Sequence, residues 1–410
     1  MIKDFFKVTP LEDVLKLISG TDRVEMEPVD LFCAQGRVLA VDVIADMDLP
    51  PFSRSTMDGY AVKAASTFGA SESNPAYLTI KGAVSMAEKP DFSIGSGEAA
   101  PIPTGGMLPE NADSVIMIEH TDSIDDETVE AFKSMAPGQN IIEKGEDFRK
   151  GTVVLEKGTL IRPQEAGALA AFGHNPVQVY RKPVIGIIST GDEVVPVNEI
   201  PPCGYIRDMN TFTLSGLVKK YGGTPKSYGI IRDQRELLFE ACEKACQETD
   251  MVLISGGSSV GTRDLTIETL SALKNSSILV HGIPISPGKP TILAKAENKF
   301  IWGIPGHVTS AMIVFNTVVR PCLDYLRGIS NPFQKGPPLK AILTRNISSA
   351  QGRIDYTRVK LVRRDNITYA EPVLGKSGLI STMIRADGVI EVGMNEEGLL
   401  QGTEVQVILV

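Results

Sequence analysis

No apolar run in this 410-residue chain approaches the length that spans a bilayer, and Met1-Ile2-Lys3-Asp4 leads into no apolar core of the signal-peptide kind. The expected location is therefore the cytoplasm. Cysteine is sparse: Cys33, Cys203, Cys242, Cys246 and Cys322 are odd in number and scattered. Cys242 and Cys246 share a face of an expected helix, but no second Cys/His pair accompanies them as a zinc site requires, so all five read as reduced thiols. Basic charge is not in excess. Lys and Arg number 41 against 50 Asp and Glu, a net charge of −9, which excludes a general polyphosphate-backbone binder. No serine sits in a glycine elbow with a partnered histidine, so a hydrolase triad has little support. Walker A and Rossmann fingerprints are missing too, since Gly256-Gly257-Ser258-Ser259-Val260-Gly261 has the wrong spacing for either.

What remains is a globular composition, 42% hydrophobic and 22% charged, in a chain long enough for two to four domains. The organising stretch is Met251 to Arg320. Met251-Val252-Leu253-Ile254 reads as a short buried strand stopped by Gly256-Gly257. The loop from Ser255 to Asp264 then offers unhindered backbone N–H groups and hydroxyls at a strand end, which is how an anion site is made. Phe300 to Ile304 repeats the strand signal, and Pro305-Gly306-His307-Val308-Thr309-Ser310 turns into an apolar helix. Two strand ends thereby deliver polar loops to one edge, the usual ligand position in an open α/β sheet.

Elsewhere, Thr9-Pro10-Leu11-Glu12 predicts a capping box opening a helix that Gly20 stops. A helix or turn is expected around Val29 to Gln35 and a strand over Val38 to Val43. Residues from about 76 to 145 read as all-β, with strands at Tyr77 to Ile80, Ser114 to Ile118 and Thr128 to Phe132. Gln164 to Phe172 predicts an alanine-rich helix. From Lys182 strand, polar loop and helix recur about three times, the pattern of a mostly parallel sheet with right-handed crossovers. Pro321 should kink or break the helix Thr309 to Leu326. Asn331-Pro332 to Pro337-Pro338 reads as a linker before a small β domain, in which eight basic residues meet one acid, Asp355, between Lys335 and Arg364: a solvated face or an anion-docking one. The expected division is a split small domain (1–46 and 146–180), a β-rich insert (47–145), an α/β domain (181–328) and a C-terminal β domain (329–410).

Asp58, Asp147, Glu193, Asp233 and Asp264 all lie in loops beside glycine or at strand ends. Hard cations such as Mg²⁺ find oxygen ligands at such positions, one or two carboxylates plus a ligand phosphate being usual. Any one of them is more often a turn or cap residue; five in three regions point to a shared site. Thr104, beside Gly105-Gly106, either holds a phosphate or hydroxyl or turns the chain, and Lys289, between Gly288 and Pro290, suits an anion or open solvent. The residues alone describe an α/β phosphate-ligand protein with an acidic metal site.

Pro50-Pro51-Phe52-Ser53-Arg54-Ser55-Thr56-Met57-Asp58-Gly59-Tyr60-Ala61-Val62 closely resembles the MoeA family, the molybdopterin molybdenumtransferases, relatives of the gephyrin E domain. The resemblance continues through Pro103-Thr104-Gly105-Gly106, Gly145-Glu146-Asp147, Ser189 to Glu193, Ser255-Gly256-Gly257 to Asp264, Pro287-Gly288-Lys289-Pro290, Gly303 to Gly306, Gly352 to Tyr356 and Gly375-Lys376-Ser377-Gly378. It implies a multidomain α/β plus β protein: a central α/β domain like that of the molybdopterin adenylyltransferases, a β-rich insert, a split small domain and a C-terminal β domain. It also implies an elongated cytoplasmic homodimer that inserts molybdate into adenylylated molybdopterin with Mg²⁺ and releases AMP, with transient contact to the adenylyltransferase and recipient molybdoenzymes. No nucleic-acid or membrane partner is implied. By position, Asp58, Asp147, Glu193, Asp233 and Asp264 match the family's active-site acids, with Asp58, Asp233 and Asp264 expected on the metal. Thr104, Ser255, Gly256, Gly257, Ser258, Lys289, Pro305 and Gly306 match ligand-contacting positions. Ser286, where relatives often carry lysine or another polar residue, and His307-Val308, where they usually read Asn-Pro, bear on oxyanion affinity and on molybdate against tungstate. The competing readings are a tungstate-preferring insertase, the adenylyltransferase step itself, and a non-catalytic molybdopterin carrier or scaffold.

Overall fold

The computed structural model describes residues 8–256, 262–334 and 336–410, with Thr262, Arg263 and Asp264 described as helical backbone only. The chain forms two compact units: Met1–Val41 with Lys157–Ala166 and Asn175–Val410, and Asp42–Glu156 with Gly167–His174. This partition is coarser than the four segments expected from the sequence. Among the described residues no helix is long and apolar enough to cross a membrane.

The first unit is built on a six-stranded sheet. Its strands are β1 (Val184–Thr190), β2 (Thr224–Ile231), β3 (Met251–Ser255), β4 (Ser277–His281), β5 (Ile292–Ala296) and β6 (Lys299–Ile304), in the order β2-β1-β3-β6-β5-β4. β2, β1, β3 and β6 run parallel; β5 and β4 run antiparallel to their neighbours. The continuous apolar run of β3 has a direct cause: all five of its residues are buried, with helices on both faces. Alternate residues serve opposite faces. Ile185, Ile187, Leu253, Phe300 and Trp302 join the core under α2 (Asn210–Lys220) and α5 (Val308–Val314). Ile188, Val252, Ile254 and Ile301 join the core under α3 (Arg235–Glu248) and α4 (Thr262–Ala272). The chain passes from β1 outward to β2 and returns to β3 on β1's other side, so the sheet's switch point lies between β1 and β3.

The C-terminal strands β7 (Leu339–Leu343), β8 (Ile354–Arg364), β9 (Ile367–Pro372), β10 (Gly388–Val392) and β11 (Glu404–Leu409) pair in the order β8-β9-β7-β11-β10, and β10 pairs back to β8. The closed barrel leaves no free edge. Its interior holds Leu343, Val359, Ala370, Ile390 and Val407. In the second unit a six-stranded sheet contains Gly59–Val62, Ala76–Ile80, Glu98–Ile102, Ser114–Met117, Thr121–Ser123 and Thr128–Ala131. This is the all-β segment expected from its glycine and proline punctuation.

Two local expectations change. The first helix runs Leu11–Ile18 with Pro10, not Thr9, at the N-cap and no side-chain cap; the Thr9 N–H instead donates to the Gly282 carbonyl at 2.9 Å. The strand expected over Val38 to Val43 is reduced to bridges at Val38 and Leu39 and a two-residue strand Val43–Ile44. The break expected near Pro321 is present. Val308–Val314 passes into a π-turn, Phe315–Val319, before Arg320–Leu326, as a proline lacking an N–H and crowding the carbonyl four residues back requires.

Candidate functional site

A cleft of about 260 Å³ opens at the carboxyl ends of β1, β3 and β6, the switch-point edge. Its size is just under the range usual for whole small-molecule ligands, so it would take part of a larger one. The loop after β1 contributes Gly191 and Glu193, the turn after β2 contributes Asp233, the ends of β3 and β6 contribute Ser255, Gly256, Gly306 and His307, and the start of α2 contributes Asp208, Met209 and Asn210. The lining is polar where it is most buried: Ser189, Thr190, Asp208, Asn210 and Ser255 are each less than a tenth exposed.

Hydrogen bonds fix these groups. Thr190 Oγ1 donates to Asp233 Oδ1 at 2.5 Å, and the Asp233 N–H donates to Asp192 Oδ1 at 3.2 Å. Asp208 Oδ1 accepts from the Thr211 N–H at 3.1 Å, satisfying one of the free donors at the start of α2. Asn210 Nδ2 donates to Ser255 Oγ and to the Gly306 carbonyl, each at 2.7 Å, and so ties the ends of β3 and β6 together. Gly256 has φ +136°, and a Cβ there would lie 2.1 Å from the Thr190 carbonyl oxygen, so β3 exits against β1 only because the residue is glycine.

Glu193, Asp233, Ser255, Gly256 and Gly306 therefore converge on one cleft. Pro305 is buried between Ile304 and Gly306 at its rim. Lys289 does not line it but lies in the turn between β4 and β5. That turn is on the same sheet edge, because His281 pairs with Ile292 and Ile292 with Gly303. Gly257 and Ser258 lie outside the described residues, as does the side chain of Asp264. Asp58, Thr104 and Asp147 belong to the second unit. There Asp58 Oδ1 accepts from the Thr104 N–H at 2.7 Å and from Thr104 Oγ1 at 3.0 Å. These two donors, the backbone one foremost, hold the Asp58 carboxyl below its ordinary pKa. The exposed Asp147 lies beside Arg54 and Glu146 in an open groove of that unit.

The two departures from the family pattern are both engaged. His307 Nδ1 is 2.9 Å from Ser377 Oγ, and the Thr309 N–H donates to the Ser377 carbonyl at 3.2 Å, joining the cleft rim to the 373–380 loop of the barrel domain. Ser286 lies in a two-residue strand pairing with Ile354 and Asp355. Burial alone would raise the Asp355 carboxyl, but donors from Ser349, Ser286 and Arg353 outweigh it and hold the group below its usual range.

Asp208 and Asn210 carry much of the site's order and were assigned no role from the sequence. Their signal was a polar Arg-Asp-Met-Asn run directly before a helix, in the interval after a strand-end loop. Among the described residues no three His, Cys, Asp or Glu side chains gather closely enough to hold a metal ion alone. Asp233 and Glu193 are the hard oxygen donors that Mg²⁺ takes one or two at a time beside a phosphate, so the cleft's donor set fits that ion with a phosphate ligand.

Three family models cover the chain in order: the MoeA N-terminal region (domain I and II) over residues 9–173, a "probable molybdopterin binding domain" over 186–325, and the MoeA C-terminal region (domain IV) over 340–410. The chain is 37% identical to a molybdopterin biosynthesis protein of Methanocaldococcus jannaschii, covering 94% of this chain and 92% of that one. It is 31% identical to the molybdopterin molybdenumtransferase of Bacillus subtilis, covering 98% and 95%. The crystal structure of a molybdopterin biosynthesis MoeA protein from Pyrococcus horikoshii superposes with a TM-score of 0.78 at 37% identity, covering 98% of this chain and 99% of that one. With the β sheet, the α/β cleft and the terminal barrel following one another along the chain, it belongs to the MoeA family, the molybdopterin molybdenumtransferases, enzymes of molybdenum cofactor biosynthesis.

Proposed function

We propose that this enzyme inserts molybdate at the dithiolene of adenylylated molybdopterin and releases AMP in a Mg²⁺-dependent step. The observation that carries the proposal is the cleft at the carboxyl ends of β1, β3 and β6, inside the segment matched by the molybdopterin-binding model, with three carboxylates, Glu193, Asp208 and Asp233, on its wall. The substrate's pyrophosphate would lie against the loop following β3, whose backbone and hydroxyl groups suit phosphate oxygens. Mg²⁺, when bound, would neutralise charge developing on the phosphate as AMP departs. Asp233, with its carboxylate oriented by Thr190, and Glu193 are assigned to hold it, together with Asp264; Asp58 and Asp147, in the other unit, are proposed as acids of the same reaction. Thr104 would bind the substrate through its hydroxyl, and Lys289 would offset negative charge on the phosphate or the incoming oxyanion. Asp233 keeps its orientation without ligand, because Thr190 and Asp192 anchor both its side chain and its backbone. The working form is proposed to be a cytoplasmic homodimer handing its product to molybdoenzymes.

The test is AMP release from adenylylated molybdopterin across a molybdate series, repeated with tungstate. Asp233→Ala should lower the rate by about a hundredfold or more, the usual scale for losing one electrostatic contact to a transition state, while the adenylylated pterin still binds. EDTA should stop release and added Mg²⁺ restore it. Release unaffected by both treatments would refute the assignment, and binding without any release by the unaltered enzyme would make the protein a carrier.

A further inference from the structure

Asp355 is a carboxylate buried near the start of β8. Ser349 Oγ donates to its Oδ2 at 2.6 Å, and the Ala350 N–H reaches the same oxygen at 3.4 Å. Arg353 holds both oxygens, Nε at 3.1 Å from Oδ1 and Nη2 at 3.3 Å from Oδ2. The Ser286 hydroxyl donates to the carboxylate as well. A carboxylate has about four acceptor sites, so one surrounded in this way has nothing left for a metal ion or a substrate. Three of its partners come from the turn that precedes β8. Ser286 comes from the α/β segment, and a bond to an ionised acceptor is strong enough for one hydroxyl to hold a turn.

The chain around Ser286 carries that bond onward. Ile285–Ser286 adds to β8 as a parallel two-residue strand, Ile285 opposite Ile354 and Ser286 opposite Asp355, and the Ile354 N–H donates to the Pro284 carbonyl at 2.8 Å. The next residues, Pro287-Gly288-Lys289-Pro290, have little slack. Two prolines fix their own φ. The Lys289 carbonyl accepts from the Ile283 and Thr291 N–H groups at 3.0 and 2.9 Å, and the Gly288 carbonyl accepts from Thr291 Oγ1 at 2.7 Å. A Cβ on Gly288 would lie 2.7 Å from Val314 Cγ2 and 2.8 Å from Ile285 Cδ1, so the turn is pressed against α5 and against the strand that Asp355 anchors. The internal bonds close the turn, and the bonds to β8 set which way the closed turn faces. A shift at Ser286 therefore reaches Lys289. Resting on the reading that Lys289 meets an anionic oxygen of the ligand, we propose that Asp355 is a positioning residue for the reaction. Through Ser286 it holds the turn so that Lys289 presents its ammonium group to a tetrahedral oxyanion, the substrate's phosphate or the incoming molybdate.

The experiment measures AMP release from adenylylated molybdopterin in two arms, a molybdate series at saturating pterin and a pterin series at saturating molybdate. The proteins are the full-length enzyme, Asp355→Asn, Ser286→Ala, Ser286→Thr, Lys289→Ala, and Lys289→Ala combined with each of the first two, with thermal melts confirming that each folds. Asp355→Asn and Ser286→Ala should raise one of the two KM values by about tenfold, the scale of one lost hydrogen bond to a charged group. The kcat should stay within about twofold, as loss of binding common to ground and transition states requires. The arm that moves tells molybdate from phosphate. Ser286→Thr keeps a hydroxyl and should keep the KM. In the Lys289→Ala background either change should move KM by less than about twofold, because the residues act as one unit. A merely structural role predicts losses that multiply. That result, or an unchanged KM in both Asp355→Asn and Ser286→Ala, overturns the assignment while leaving Lys289 as an anion contact. If Asp355→Asn does not fold, Ser286→Ala and its combination with Lys289→Ala decide. If Lys289→Ala itself moves neither KM, the reading of Lys289 fails and the assignment falls with it. No AMP release by the unaltered enzyme would place the fault in the proposed function, and the assignment falls there too.

Discussion

Asp58 keeps its charge through two donors supplied by one residue, the backbone N–H and the hydroxyl of Thr104. The folded state thus favours the carboxylate. For a group whose folded pKa is depressed, the resulting stability is present above the unfolded pKa and is lost as pH falls through the folded one. Thr104→Val removes the hydroxyl but not the N–H, so the Asp58 pKa should rise toward its ordinary value without reaching it. A carboxyl-carbon NMR titration of the two proteins reads this directly, and an unchanged Asp58 titration would rule the hydroxyl out. Backbone crowding predicts the second effect. Gly256→Ala forces a Cβ to within 2.1 Å of the Thr190 carbonyl at a φ that side chains avoid, so it should destabilise by about 2–4 kcal/mol in urea melts. The glycine was visible in the sequence as a strand stop. That it marks the close approach of β1 was not, because residue 190 is far away in the chain and only the parallel pairing of β1 with β3 brings it there. Asp58 and Thr104 were likewise singled out separately, and their bond was invisible for the same reason.

At the scale of elements, periodicity served well wherever local pattern and burial agree. β1 and β3 are continuous buried runs because both faces are covered. It served poorly where a tertiary contact outbid a local motif. The Thr9 N–H is taken by Gly282, so the capping box read from Thr9 and Glu12 does not form. Helix α2 carries a flaw readable from both sides. Gly216 sits exposed in its interior, where glycine costs conformational entropy, and a Cβ there would meet nothing within 4 Å. Gly216→Ala should raise stability by about 0.5–1 kcal/mol, seen as a higher urea midpoint at unchanged slope. Since α2 presents Asn210 at its first position, the same variant should leave ligand binding unaltered. A loss of binding would show that the helix start needs the freedom glycine gives.

The whole molecule divides into two units with separate cores, and a single tryptophan distinguishes them. Trp302 is the chain's one tryptophan and is fully buried on β6, in the first unit. The second unit's core is built from small and β-branched residues such as Val62, Ala99, Ile116 and Val129. Tryptophan fluorescence therefore reports on the first unit alone, whereas far-ultraviolet circular dichroism sums over both. A protein whose units keep independent cores need not unfold in one step. The two probes should give urea transitions with different midpoints. Trp302→Phe, which keeps an aromatic ring but leaves a gap in the first core, should shift the dichroism transition only in the portion that the fluorescence curve of the unaltered protein marks. Coincident curves would mean that the units unfold together. In that case the Gly256→Ala penalty would be shared by the whole chain, and the carboxylates assigned to the reaction, Asp58 and Asp147 in one unit and Glu193 and Asp233 in the other, would belong to a single cooperative body.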